Sequence, residues 1–370
     1  MAATSRHAHP GGARSVLCVR GPAGPSEVLL AGGSSNSAVV FFEGDQILDD
    51  DTRDLLGPER WSPDAHLATL CGRAGADTSV LLVMPTTLAA GGQACYGNLL
   101  ASMTAVGEPL GFKPQGYPAA THLAAILASV QARDGGEDGD GGGGGDGDGD
   151  GDGGCGGGGG GPSGGTRRFS ELTLVGFSKG AVVLNQLLAE MAWREEALLR
   201  AAGDGQESTT SVPAPAPAPA DDTAVAAAAA TGTDPVSLPL PLPRRPPPPS
   251  AAPPEPPSDS VGELLDSIHT LHFLDAGLNC RGVHLTDAAA AAALGQRHRR
   301  RPLVVHVHGT PRQWGDRRRP WIAAERDRFQ ALLCAAGVPA HVHRYFEGQP
   351  PSLRQHFDII GQVQMRPDGC

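Results

Sequence analysis

Residues 172–188 read LTLVGFSKGAVVLNQLL. An apolar, β-branched run reaches Gly176-Phe177-Ser178-Lys179-Gly180, and apolar residues at helical spacing follow at once. A short continuous apolar run bounded by a turn signal reads as a buried strand. A buried strand feeding a buried helix through so short a turn implies helices layered on a mainly parallel sheet. Reactive groups in such sheets collect outside the carboxyl ends of the strands, where Ser178 falls. Gly-x-Ser-x-Gly is the pattern of a nucleophile elbow. Small residues two before and two after the serine make room for a strained turn that projects Oγ from the sheet. The N–H of Lys179 lies at a helix N-terminus, where the dipole favours an oxyanion. The same five-residue pattern occurs at Gly161-Pro162-Ser163-Gly164-Gly165 inside a glycine tract, but only Ser178 has a strand before it and a helix after it. The alternative reading of Ser178 is an N-cap in an ordinary strand–helix turn.

The rest of the chain repeats the alternation. SAVVFF (37–42) is a short strand, and WSPDAHLATLCGRA opens a helix at Ser62 and Pro63, with Leu67, Leu70 and Cys71 as its apolar stripe. TSVLLVMP (78–85) is a buried strand stopped by Pro85, and residues 117–132 form a helix with proline near its first turn. Strand 171–176 and helix 179–199 follow. Residues 261–270 read as a helix, TLHFLDAG as a strand, 302–309 as a strand, 320–337 as a helix, and 340–346 as the last strand. PSLRQHFDIIGQV adds a short final helix. The expected fold class is α/β, a doubly wound, mainly parallel sheet. SVLCVRG and SEVLLAG, before residue 40, are weaker strands suited to an antiparallel edge.

Two stretches cannot belong to that layer. Residues 132–166 are almost entirely Gly and Asp, and 201–260 are rich in Pro, Ala, Ser and Thr. Neither buries enough apolar surface to offset its ordering entropy, so both read as disordered insertions. Removing them leaves roughly 275 residues, a normal size for one large domain. It is assembled from 27–131, 167–200 and 261–370. The first 26 residues hold Arg6, Arg14 and Arg20 and no acidic residue, which suits a transit peptide or a plain disordered tail.

The net charge of −11 argues against a general nucleic-acid binder. Arg297, Arg299, Arg300 and Arg301 read as a solvated loop. No run of 18 apolar residues marks a membrane span. The seven cysteines are scattered, without C-x-x-C, and give no zinc signature. DGDGDG (146–151) matches only half of a calcium loop. No cofactor and no metal are expected.

A nucleophile of this kind needs a base and an acid, in chain order serine, acid, histidine. His356, about ten residues after strand 340–346, is the expected base. His306, His308, His341 and His343 lie within strands and read as core or face residues. Two aspartates compete for the acid. Asp316 follows strand 302–309 at the usual station and is slightly preferred, whereas Asp275 ends the preceding strand. The second oxyanion donor is expected in the loop EGDQ (43–46). Gly44 there lets backbone approach a substrate, and the N–H of Asp45 or Gln46 donates.

Several blocks together, in order, resemble the family named after human chromosome 2 open reading frame 69, a group of poorly characterised mitochondrial proteins. They are VVFFEGDQ, WSPDAHLATL, CYGNLLAS, LVGFSKGAVVLNQLL, FLDAG, TPRQWGDRRRPWI and PSLRQHF. The resemblance implies an α/β-hydrolase-like fold, a serine-hydrolase-type site and a role in mitochondrial homeostasis. It carries the family's site onto Ser178, onto Asp275 and Asp316, and onto His356. Where the family has a glycine-rich stretch after the aspartate, this chain reads GLNCRG. The expected function is hydrolysis of a small-molecule acyl substrate, an ester, thioester or amide. The alternative is a non-catalytic hydrolase fold that binds or scaffolds protein partners, whose identity the sequence leaves open.

Overall fold

The computed structural model describes residues 4–9, 12–134, 169–204 and 258–365. The strands are β1 (Thr4–His9), β2 (Gly12–Gly21), β3 (Gly24–Ala31), β4 (Ser37–Phe42), β5 (Ser79–Val83), β6 (Thr87–Ala89), β7 (Gln93–Cys95), β8 (Glu171–Phe177), β9 (Ile268–Leu274), β10 (Val304–Gly309) and β11 (Ala340–Arg344). The helices before β8 are α1 (Asp50–Leu56), α2 (Pro58–Trp61), α3 (Pro63–Ala74) and α4 (Pro118–Asp134). After it come α5 (Ala181–Asp204), α6 (Asp259–Ser267), α7 (Ala288–Arg300), α8 (Pro311–Trp314), α9 (Trp321–Ala335) and α10 (Leu353–Asp358).

Nine of these strands form one sheet in the order β1-β2-β3-β5-β4-β8-β9-β10-β11, and β6 and β7 make a separate hairpin. Every pair from β5 to β11 is parallel, while β1, β2 and β3 form an antiparallel edge joined to β5. The order reverses between β4 and β5, and β8 lies in the middle of the sheet. The central strands are apolar on both faces because helices cover both. On one face Val40, Leu174, Leu271 and Val305 pack with residues of α4, α5, α7 and α9. On the other, Phe41, Val175, Phe177 and Leu274 meet α3 and the last described turns, through Phe357, Ile359, Ile360 and Val363.

Local signals explain the element starts. Ser62 caps α3 by accepting from the Ala65 N–H at 3.1 Å. Ser352 and Gln355 close a reciprocal capping box at the start of α10. Three expectations are corrected. Within the stretch 1–26, expected as a disordered tail or transit peptide, Gly12–Gly21 instead pairs as β2 and leads into β3, because Leu17 and Val19 alternate into the core. The helix expected over 261–270 stops at Ser267, since Ile268 already pairs with Leu172 of β8. The arginine cluster is the last turn of α7, whose Asp287 cap takes the Ala290 N–H at 2.7 Å. Arg297 there is buried and donates to the carbonyls of Leu265 and Ile268 at 2.6 and 2.7 Å. The bulk of both expected insertions, with the half-matched calcium loop and Ser163, lies outside the described residues. Among the described residues, no helix is long and apolar enough to cross a membrane.

Candidate active site

Ser178 stands directly after β8, in a single 3-10 turn, Ser178–Gly180, that leads into α5. Its φ is +51°, a conformation rarely adopted outside glycine. The glycines around it are required by contact. A Cβ on Gly180 would lie 2.1 Å from the Phe42 carbonyl oxygen, one on Gly176 2.6 Å from Ala181 Cα, and one on Gly44 2.7 Å from Ser178 Cβ. Strand β4, the Gly44 loop and the serine turn are thus pressed together, and any side chain at these positions would push them apart.

Ser178, Lys179 and His356 line one cleft of about 730 Å³, together with Asp45, Gln46, Arg312 and Asp316. The His356 ring packs at 4.7 Å from that of Phe177, the residue before the serine. His356 Nδ1 lies 2.6 Å from Asp275 Oδ2. Asp275 is fully buried, follows β9 directly and has φ +45°. Its Oδ1 accepts the Thr310 N–H at 2.7 Å, and its Oδ2 accepts the Thr310 hydroxyl at 2.9 Å. Its own N–H donates to the His308 carbonyl at 2.8 Å. The start of the loop after β10 therefore holds the carboxylate at the imidazole. With Nδ1–H given to a carboxylate, the ring keeps the lone pair of Nε2 as a proton acceptor.

Asp316 does not meet the imidazole. The chain first winds through α8, and Asp316 then accepts from the Arg318 N–H and from Arg319 Nε, both at 2.9 Å. Those donors, the Arg318 backbone first, hold its carboxyl down at about 2. It shapes the arginine-rich turn at the cleft rim. The slight preference for Asp316 as His356's partner is therefore reversed in favour of Asp275.

The EGDQ loop is also more constrained than its sequence suggests. Gln46 N–H donates to the Gly92 carbonyl at 2.7 Å, so the expectation that it faces a substrate oxygen is corrected. Gly44 N–H donates to Glu43 Oε1 at 3.1 Å. The Asp45 carboxylate accepts from the Ala94 N–H at 2.8 Å, which fixes the loop to β7.

Sequence reasoning missed what lies behind this loop. Glu43, completely buried, meets His66 Nδ1 at 2.9 Å, and His66 Nε2 lies 2.7 Å from the Arg60 carbonyl. The Arg60 carbonyl can only accept, so His66 Nε2 donates to it, and Nδ1 faces the Glu43 carboxyl. Burial works to lower the imidazole's pKa, but the Glu43 carboxylate and the two hydrogen bonds outweigh it and hold it above its ordinary value. The signal was a Glu ending an apolar strand and a His on the buried stripe of α3. The Lys179 side chain was missed too. It is buried, donates to the Val106 carbonyl at 2.9 Å and lies 3.4 Å from Glu108 Oε1. Cys280 donates to Glu108 on the same acidic patch, and burial with that carboxylate pushes its thiol up to about 11. It is no nucleophile at neutral pH.

The strand order, the reversal between β4 and β5, and the serine turn after the central strand define the α/β-hydrolase fold. Within that class, residues 255–339 match the model of the family C2orf69. The chain is 25% identical over 190 residues to the mitochondrial protein C2orf69 homolog of Danio rerio, 51% of this chain and 37% of the relative. It is 28% identical over 100 residues to mitochondrial protein C2orf69 of Homo sapiens, 27% of this chain and 25% of the relative. The family resemblance read from the residues is thus borne out, at modest identity, and the matched segments span well under half the length of those relatives. A solved structure, the thermostable carboxylesterase EstE1 from a metagenomic library, is similar at TM-score 0.36 and 9% identity, over 96% of this chain and 89% of that one.

Proposed function

We propose that this protein is a serine hydrolase acting on an ester, thioester or amide acyl group, and that it works in mitochondria, as its relatives' names state for them. The observation that carries the reading is the 2.6 Å Asp275–His356 pair in the same cleft as Ser178. Gly176-Phe177-Ser178-Lys179-Gly180 then acts as the nucleophile elbow. Ser178 Oγ attacks the acyl carbonyl while His356 Nε2 takes its proton. Asp275 holds the imidazole in the required tautomer and stabilises the imidazolium. The Lys179 N–H and the Asp45 N–H hold the oxyanion of the tetrahedral intermediate. Collapse of that intermediate expels the alcohol, thiol or amine with the proton from His356. Water, activated by the same imidazole, then releases the acyl group from Ser178.

A fluorophosphonate probe tests this. It is expected to label the wild-type chain and to leave Ser178→Ala unlabelled, with the variant's melting temperature unchanged. Equal labelling of both would sink the proposal. A folded Ser178→Ala protein that restores cells lacking the gene as well as wild type does would favour the non-catalytic scaffold instead.

A further inference from the structure

The sheet face of β9, β10 and β11 that turns away from α7 and α9 carries five histidines. His272, His306 and His341 are cross-strand partners in one row, and His308 and His343 in the next. Alternate residues of these strands, among them Phe273, Val305 and Val307, fill the core on the opposite face. The rings stack across the strands: His272 on His306 at 4.7 Å and 9°, His308 on His343 at 4.6 Å and 12°. His306 Nδ1 lies 3.1 Å from His343 Nε2. His308 Nε2 lies 3.0 Å from His272 Nδ1, and its Nδ1 lies 2.9 Å from the Tyr345 hydroxyl. His306, His308 and His343 bring ring nitrogens within 4.8 Å of one another.

We propose that His306, His308 and His343 form a transition-metal site, for an ion of the Zn²⁺ or Cu²⁺ class. Metal–nitrogen bonds of about 2.0–2.1 Å in a tetrahedral set place ligand atoms roughly 3.3 Å apart; the His306 and His343 nitrogens already stand 3.1 Å apart, and His308 comes within 4.8 Å of both. An all-imidazole donor set suits zinc, copper or nickel and not the hard, oxygen-seeking cations. His272 and Tyr345 both hold His308. On metal binding His308 gives up one of them and keeps the other as the outer partner that orients its ring. His306 and His343 are half-buried, so an ion can enter from solvent. The sequence carries no metal motif, because such motifs hold their ligands close along the chain. The ligands here are 37 residues apart or on alternate positions of one strand, and only sheet register brings them together.

The test is Zn²⁺ and Cu²⁺ titration of the full-length, chelator-stripped chain, with nitrogen couplings read by electron paramagnetic resonance of the copper form. One equivalent bound with three imidazole nitrogens is expected. His306→Gln/His343→Gln is expected to weaken binding at least about tenfold, with its circular dichroism unchanged. His7→Ala/His9→Ala, which alters histidines far along the chain, is expected to leave binding intact. No tight binding, a copper signal with at most one nitrogen, or binding lost in the His7/His9 variant and kept in His306→Gln/His343→Gln overturns the proposal. If the double variant does not fold, the nitrogen count on the wild-type chain decides by itself.

Discussion

At the scale of single residues, the candidate site separates two aspartates that sequence position alone leaves nearly equal. Asp275 is buried, takes both donors of Thr310 and meets His356. Asp316 sits at the cleft rim on arginines. Under the proposed chemistry, Asp275→Asn leaves the shape intact but offers a donor where an acceptor is needed. It should slow fluorophosphonate labelling by up to about four orders of magnitude, as tautomer loss does in a serine triad. Asp316→Asn should stay within about threefold of wild type, since it breaks only partly exposed contacts. Comparable losses in both variants would show that the pair distance does not identify the acid. The choice was illegible in the sequence because it depends on α8, a single turn that diverts the chain between Thr310 and Asp316.

At the scale of elements, helix α5 does more than follow the serine. Its Glu190 is buried and accepts the Ala119 and Ala120 N–H groups at 2.9 and 2.8 Å, capping α4 from outside. Burial drives this carboxyl up to about 7, against hydrogen bonds from Gln186, Ala119 and Ala120 that pull it down. The folded state thus holds the proton more tightly than the unfolded chain, whose value is near 4.5. The stabilisation from protonation is complete below about pH 4.5 and is lost as pH rises to about 7. Glu190→Gln cannot titrate. Its unfolding free energy should therefore fall less than that of wild type between pH 5 and 7.5, with a difference of up to about 3 kcal/mol. Urea unfolding of both proteins across that range gives the answer, and parallel pH profiles would show that Glu190 is already ionised throughout. The element pattern itself was largely legible. Strand 37–42, the helix opening at Ser62 and the strand–turn–helix at Ser178 all stand where periodicity and caps place them. Helix α7 was not, because a run of alanines carries no amphipathic stripe and its arginines look solvated.

For the whole molecule, the last described turns join stability to the site. Phe357, Ile359, Ile360 and Val363 close the second core while His356 rides on the same segment. Ile360→Ala removes a buried side chain and should cost about 2–5 kcal/mol. Labelling should also slow well below the melting temperature, because the imidazole is held by that packing. Leu17→Ala, at the far edge of the sheet, should lower stability comparably and leave labelling unchanged. Equal effects of the two on labelling would mean that the segment has no special hold on His356.

The residues by themselves determined the layered α/β architecture, the family resemblance and the serine turn. Each of these is written in local periodicity, glycine spacing or short blocks that need no distant partner. Tertiary structure alone decided which aspartate faces His356, that Glu43 and His66 brace the loop behind Ser178, and that five histidines share one sheet face. Those pairings join residues from 23 to 81 positions apart. Strand register and crossover geometry set their distances, and no local pattern along the chain encodes them.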